Sequence, residues 1–237
     1  MSSERERALV PVLLGLTMVT GLVDAASVLG LGRVFTANMT GNIAFLGFAA
    51  AGAPGLSFVR SSAALVAFLL GAVVGGRIGL PLGAGPASRP VSMALGSEAA
   101  LLLAATGVAL GGGADLIGFP LRLYSAIVLT GVAMGIRNAV VRKLAVPDLT
   151  TTVLTLTITG LAADSSLAGS EGPRWGRRIA SILCMFAGAA VGAWLLPRSA
   201  AFVLGMAALV SALCALAGWR RLTRAEGEPP DAGSGPR

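Results

Sequence analysis

The run SAAFVLGMAALVSALCALAGW, residues 199–219, decides the class of fold. No residue in it carries a charge, and it is as long as the ~20 residues a helix needs to cross a hydrocarbon core. A helix apolar on every face belongs in lipid or at the centre of a large core, and this chain is too short to hide several of them. Five further apolar stretches of similar length run about 8–32, 59–81, 91–113, 118–141 and 176–197. Hydrophobic residues fill 55% of the 237 positions, charged residues only 12%, and mean hydropathy is +0.82. Soluble domains carry roughly 25% charged residues. The sequence therefore predicts an all-α polytopic transmembrane bundle embedded in a lipid bilayer.

Two shorter apolar stretches, about 40–53 and 149–163, are better matched to half-membrane or re-entrant helices than to full crossings. The basic residues support that choice. With six crossings and a cytoplasmic N-terminus, fourteen of the eighteen Lys and Arg residues, Arg77, Arg89, Arg137, Arg142 and Lys143 among them, fall on the inside. Arg33, Arg60, Arg122 and Arg198 fall outside. Eight crossings would move those five out and weaken the positive-inside bias. Trp175 and Trp219, each near Arg, read as inner-interface anchors. The expected organisation is one transmembrane domain over 1–220 and a disordered cytoplasmic tail over 221–237. The expected location is a bacterial inner membrane, with both termini cytoplasmic.

The net charge of +7 would suggest nucleic acid in a soluble protein. Here the basic residues stand singly at the ends of apolar runs, the pattern of topogenic charge, so no nucleic-acid partner is expected. There is no His, and the two cysteines, Cys184 and Cys214, lie inside apolar runs. No metal site, cofactor or catalytic residue is expected.

The chain reads as duplicated. A shift of 110 places Thr20-Gly21 on Thr130-Gly131 and Asn38-Met39-Thr40 on Asp148-Leu149-Thr150. A shift of 117 places Arg60 on Arg177 and the Gly71–Gly75 segment on Gly188–Gly192. Repeat 1 covers about 8–113 and repeat 2 about 118–219. Three crossings per repeat insert the halves in opposite senses, the inverted-repeat plan of many secondary transporters. The Gly-xxx-Gly faces, including Gly107–Gly111, imply close helix packing, within the chain or in a homo-oligomer.

Two polar signatures stand out in these apolar surroundings. One is Asp24 with Ala37-Asn38-Met39-Thr40-Gly41-Asn42; the other is Gly135-Ile136-Arg137-Asn138-Ala139 followed by Val146-Pro147-Asp148-Leu149-Thr150-Thr151-Thr152. In them the chain resembles the YoaK-like family of bacterial inner-membrane proteins, whose domain has no known function. The resemblance covers about residues 10–220. It implies a multi-pass membrane protein, loosely labelled a small-molecule transporter. Members of that family often carry Gln where this chain has Arg137.

Polar groups in lipid are costly, so their placement is informative. Asp24 lies inside the first span and reads either as a proton or cation site or as a structural partner for a nearby Asn, Thr or Arg. Asn38 or Thr40 is suited to cap the first short helix, and Asp148 the second. In an inverted repeat the two helix starts would face each other near the midplane and offer N–H groups to an anionic or hydrogen-bonding solute. Asn42, Asn138, Thr150, Thr151, Thr152 and Thr155 complete the expected solute-binding set. Glu98, one or two turns inside its span, reads as paired or snorkelling. The leading function is a transporter for a small polar or anionic solute, with coupling to protons as an option. A passive channel and a non-transporting scaffold are the alternatives, and an enzyme is the least supported class.

Overall fold

The computed structural model describes residues 3–82, 85–146, 154–169 and 175–227. Six long helices carry the predicted spans: α1 (Ser3–Gly30), α3 (Phe58–Ile78), α4 (Ser88–Ala109), α5 (Pro120–Leu144), α7 (Trp175–Leu195) and α8 (Ala200–Gly227). The short stretches become α2 (Met39–Ala50) and α6 (Thr155–Ala163). Helix α8 continues beyond the expected boundary at 221, because Glu226 is bound to the start of α4. Residues 228–237 of the expected tail lie outside the described residues.

Contacts fix the helix directions. Gly188 packs on Met18 and Gly192 on Leu22, so α7 runs parallel to α1. Gly71 packs on Val132 and Gly75 on Ile136, so α3 runs parallel to α5. Gly15 meets Cys214 and Gly30 meets Ala200, which sets α8 antiparallel to α1. Thr106 lies beside Gly205 and Val91 beside Gly218, which sets α4 antiparallel to α8. The α4–α5 hairpin then makes α3 and α5 opposite to α1, α4 and α7. Helices α1 and α3 therefore run in opposite senses with α2 between them, so α2 leaves and returns at one end of the bundle. The same holds for α6 between α5 and α7. Six crossings follow, as the charge pattern predicts.

The packing is exchanged when the halves are exchanged. Helix α3 packs on α5 and α7 on α1; α4 packs on α5 and α8 on α1; α4 and α8 pack on each other. Each half thus lends its outer helix to the other. The outer helices are largely exposed, with 28% of the α3 span and 22% of the α7 span buried, against 72% for α1 and 61% for α5. Leu69, Leu70, Val73, Leu183 and Phe186 face outward, as lipid-facing side chains must.

The close approaches rest on glycine. At Gly71, Gly75, Gly135 and Gly188 an added Cβ would collide with the backbone of the opposing helix. Two of the Gly-xxx-Gly faces are consumed inside the chain, rather than left for an oligomer, whereas Gly107 faces open space. Gly21 abuts Met185 and Ala189 of α7, and Gly135 abuts Phe68 and Ala72 of α3. The contacts of Gly21 on α7 are thus matched on α3 by Gly135, one helical turn beyond the Gly131 that the Thr-Gly match pairs with Gly21.

Basic residues collect at the end that holds the α1 N-terminus: Arg5, Arg7, Arg77, Arg89, Arg142, Lys143, Arg177, Arg178, Arg220, Arg221 and Arg224. The other end holds Arg33, Arg60, Arg122 and Arg198. Arg137 belongs to neither set. It was expected among the inside charges, yet it is fully buried in the middle of the bundle. Its position correctly limits the topogenic argument to the remaining cations.

Candidate functional site

Leu16, Thr20 and Asp24 recur every four residues, which puts them on one stripe of α1. That stripe faces α5 across a gap too wide for backbone contact, and the Arg137 side chain fills it. Its Nη1 donates to the Leu16 carbonyl at 3.0 Å and to Glu98 Oε1 of α4 at 3.0 Å. Its Nη2 donates to Thr20 Oγ1 at 2.6 Å and lies 3.1 Å from Met134 Sδ. The guanidinium thus bridges α1 and α5. Arg137 and Glu98 are both 0% exposed. Helices α1, α4 and α5 thus contribute to the cluster.

Asp24 is 7% exposed and within electrostatic reach of Arg137. Among the described residues, Asp24 Oδ1, Glu98 Oε2 and Arg137 Nε have no hydrogen-bond partner. Such orphans are costly in a low-dielectric interior. The nearby hydroxyls are satisfied locally: Thr17 donates to the Leu13 carbonyl and Thr130 to that of Ala126, the i−4 bond that lets Thr survive inside a membrane helix.

The described members of the expected site set do not come together. Asn38 caps α2 as read, with Oδ1 accepting from Gly41 N–H at 3.2 Å. Thr40 is exposed on the first turn of α2. Asn42 is fully buried, but its Nδ2 donates to the Ser61 carbonyl at 2.8 Å, in the first turn of α3. The α2 start therefore sits level with a helix end and beside Arg60, not at mid-span. Helix α6 docks at the opposite end: Arg178 in the first turn of α7 donates to the Gly160 carbonyl and, at 2.7 Å, to Asp164 Oδ2. The α2 start is therefore not at the midplane, and the described part of α6 docks at the other end of the bundle; residues 147–153, where the second helix start was expected, lie outside the described residues. Thr155 is exposed, and Thr157 supplies the buried side of α6. Asn138 bonds back to the Met134 carbonyl at 2.8 Å. Asp148, Thr150, Thr151 and Thr152 lie outside the described residues. Among the described residues of the expected set only Asp24 joins the central cluster, whose other members are Arg137, Glu98 and Thr20.

Two cavities are bounded by described residues. One of about 440 Å³ lies between the α4 C-terminus and the α8 N-terminus, and one of about 190 Å³ lies between α1 and α8 around Cys214. Neither is lined by Arg137, Asp24, Asn38 or Asn42. Among the described residues no group of three or more His, Cys, Asp or Glu could hold a metal.

The chain is 31% identical over 156 residues to the UPF0700 transmembrane protein YoaK of Bacillus subtilis strain 168. That match spans 64% of each chain. No solved structure matches. The model of the protein family of unknown function DUF1275 matches residues 12–217, and with six apolar helices of crossing length the chain belongs to that family, as a multi-pass membrane protein.

Proposed function

We propose that the protein is a carrier for a small anionic or polar solute, coupled to protons, with its site at Arg137, Glu98, Thr20 and Asp24. The observation that carries this is the fully buried Arg137–Glu98 pair at mid-bundle, between two halves that run in opposite senses. A buried ion pair is a poor stabiliser compared with apolar residues of the same volume, and ionisable groups kept inside membrane helices mark solute and proton pathways. Opposed halves with a central site are the plan of alternating-access carriers.

The chemistry follows from charge balance. Arg137 is the natural partner of a carboxylate or phosphate oxygen, which its planar fork binds through two N–H groups. A solute anion that takes Arg137 from Glu98 leaves Glu98 unpaired in a dry interior, and Glu98 then takes up a proton. One anion and one proton move together, and the loaded site carries no added charge. Asp24, one turn along α1, receives or supplies that proton. In this reading Asn38 and Asn42 organise the α2 connection, the basic end faces the cytoplasm of an inner membrane, and the protein performs no covalent chemistry.

The test is purified protein in liposomes holding a pH-sensitive dye, given a panel of impermeant small carboxylates and inorganic anions. Anion addition outside is expected to acidify the lumen with wild type and to have no effect with Glu98→Gln or Arg137→Leu. Acidification that survives Glu98→Gln contradicts the reading. The glycine-backed seams favour one second reading, a packed scaffold that the ion pair merely pins; it predicts no acidification with any anion.

A further inference from the structure

Several basic residues at the α1 N-terminal end are spent on the protein itself. Arg177 pairs with Glu6 at 2.6 Å, Arg178 holds Gly160 and Asp164, and Lys143 donates to the Gly76 carbonyl at 2.8 Å. Arg221 has no hydrogen bond or ion pair with any described residue. Two carboxylates of that end are engaged elsewhere, Glu6 by Arg177 and Glu226 by the N–H groups of Ala87 and Ser88. Arg221 instead lines the cavity of about 190 Å³ between α1 and α8. The rest of that lining is apolar or weakly polar: Pro11 and Val12 form the α1 wall, and Val210, Leu213 and Ala217 stand with Arg221 on α8. Positions 210, 213, 217 and 221 recur every three or four residues and so share one face of the helix. Small side chains at Pro11 and Ala217 leave room between the helices. Pro11 also has no N–H to give the Arg7 carbonyl one turn earlier. From Val210 to Arg221 the groove extends about 16 Å along α8, half of a hydrocarbon core ~30 Å thick. It is one leaflet long, with its charge at the headgroup level beside Trp219.

We propose that this groove binds one anionic phospholipid of the leaflet at the basic end, with an acyl chain against Pro11, Val210, Leu213 and Ala217 and the headgroup phosphate on Arg221. Charge complementarity selects this occupant. A guanidinium binds phosphate oxygens through two N–H groups. Val12 lies beside Gly218, which brings exposed Arg7 of α1 to within about a turn of the level of Arg221, and exposed Arg224 follows one turn further on α8. A phosphatidylglycerol headgroup, which keeps its negative charge, suits these cations better than phosphatidylethanolamine, whose ammonium they repel. Basic pockets between membrane helices hold anionic headgroups in this way. The site is separate from Arg137 and does not depend on transport.

The experiment is native mass spectrometry of the full chain released from detergent, titrated with phosphatidylglycerol or phosphatidylethanolamine of identical chains. Wild type is expected to bind one phosphatidylglycerol more tightly than one phosphatidylethanolamine. Arg221→Gln is expected to weaken phosphatidylglycerol about five-fold, the worth of one basic residue at an anionic lipid, and phosphatidylethanolamine less. Ala217→Leu, which fills the groove, is expected to weaken both. Arg142→Gln, exposed at the same end but on α5 and outside the groove, is expected to change neither. Glycerol phosphate, a headgroup without chains, is expected not to compete. A melting curve checks each variant, and exposed Arg221 can be changed without touching the core. Unchanged phosphatidylglycerol binding in Arg221→Gln overturns the proposal, as does an equal loss in Arg142→Gln, which means diffuse surface charge only. Competition by glycerol phosphate also overturns it, and so does a dimer that Ala217→Leu splits, since a second copy then covers the groove.

Discussion

The two halves of the bundle share one backbone plan and differ in what their polar residues do with it. In both, a glycine on the first helix admits the outer helix of the other half, Gly21 under α7 and Gly135 under α3. Yet with α1 and α5 aligned on those two glycines, α5 carries Arg137 where α1 carries Val23, and Asn138 where α1 carries Asp24. The short helices differ likewise: Asn42 ties α2 to α3 through one neutral bond, whereas Arg178 ties α6 to α7 through a carbonyl and a carboxylate. Packing symmetry tolerates little change, because small residues at the crossings are replaceable only by collision. Polar residues can diverge, and at the centre they diverge into a single asymmetric cluster.

The largest effect should come from breaking that asymmetry at its source. Arg137→Leu leaves Glu98 buried and unpaired and should cost about 3–5 kcal/mol, read as unfolding in bicelles or as a fall in melting temperature in detergent. Val23→Leu, which adds a methylene at a fully buried position of α1 and leaves no charge unpaired, should cost less, about 1–3 kcal/mol. Next, Gly21→Ala and Gly135→Ala should each destabilise by about 1–3 kcal/mol, and by similar amounts, since each Cβ meets backbone. Gly47→Ala on α2, where a Cβ meets nothing, should be neutral or mildly stabilising. A large difference between Gly21 and Gly135 would break the equivalence. Asn42→Ala should cost about 1 kcal/mol, the net worth of a buried hydrogen bond, and should loosen α2 in amide exchange. The smallest effect sharpens the comparison at the helix ends. Helix α1 is followed by Gly32 with φ +77°, whereas α5 ends on Ala145 with φ +49°. A left-handed residue with a Cβ costs about 1–2 kcal/mol, so Ala145→Gly should stabilise by up to about 1 kcal/mol.

Much of this plan was legible in residue order because lipid imposes simple rules. Span length and apolarity follow from bilayer thickness, and the charges at span ends separated six crossings from eight. The Gly71–Gly75 and Gly188–Gly192 pairs announced close packing, and Asn38 announced a cap. The Thr-Gly dipeptide pairs Gly21 with Gly131 by composition, while the contact on α3 that matches Gly21 on α7 is made by Gly135. The site itself was not legible. Arg137 stands five residues before Arg142 and Lys143 and looks like one more charge at a helix end. Glu98 reads as paired, but its partner lies on another helix, and nothing local in the chain marks that pairing. The depth of α2 escaped for a related reason, since a capped short helix has the same sequence at mid-membrane as at a helix end.

The double variant Glu98→Gln, Arg137→Gln tests the central claim most directly, because it removes both buried charges together and leaves neither unpaired. In the liposome acidification assay, alongside a melting curve, the account predicts a protein at least nearly as stable as wild type that moves no anion and no proton. A double variant that transports like wild type would contradict it, and would leave the cluster as a structural pin.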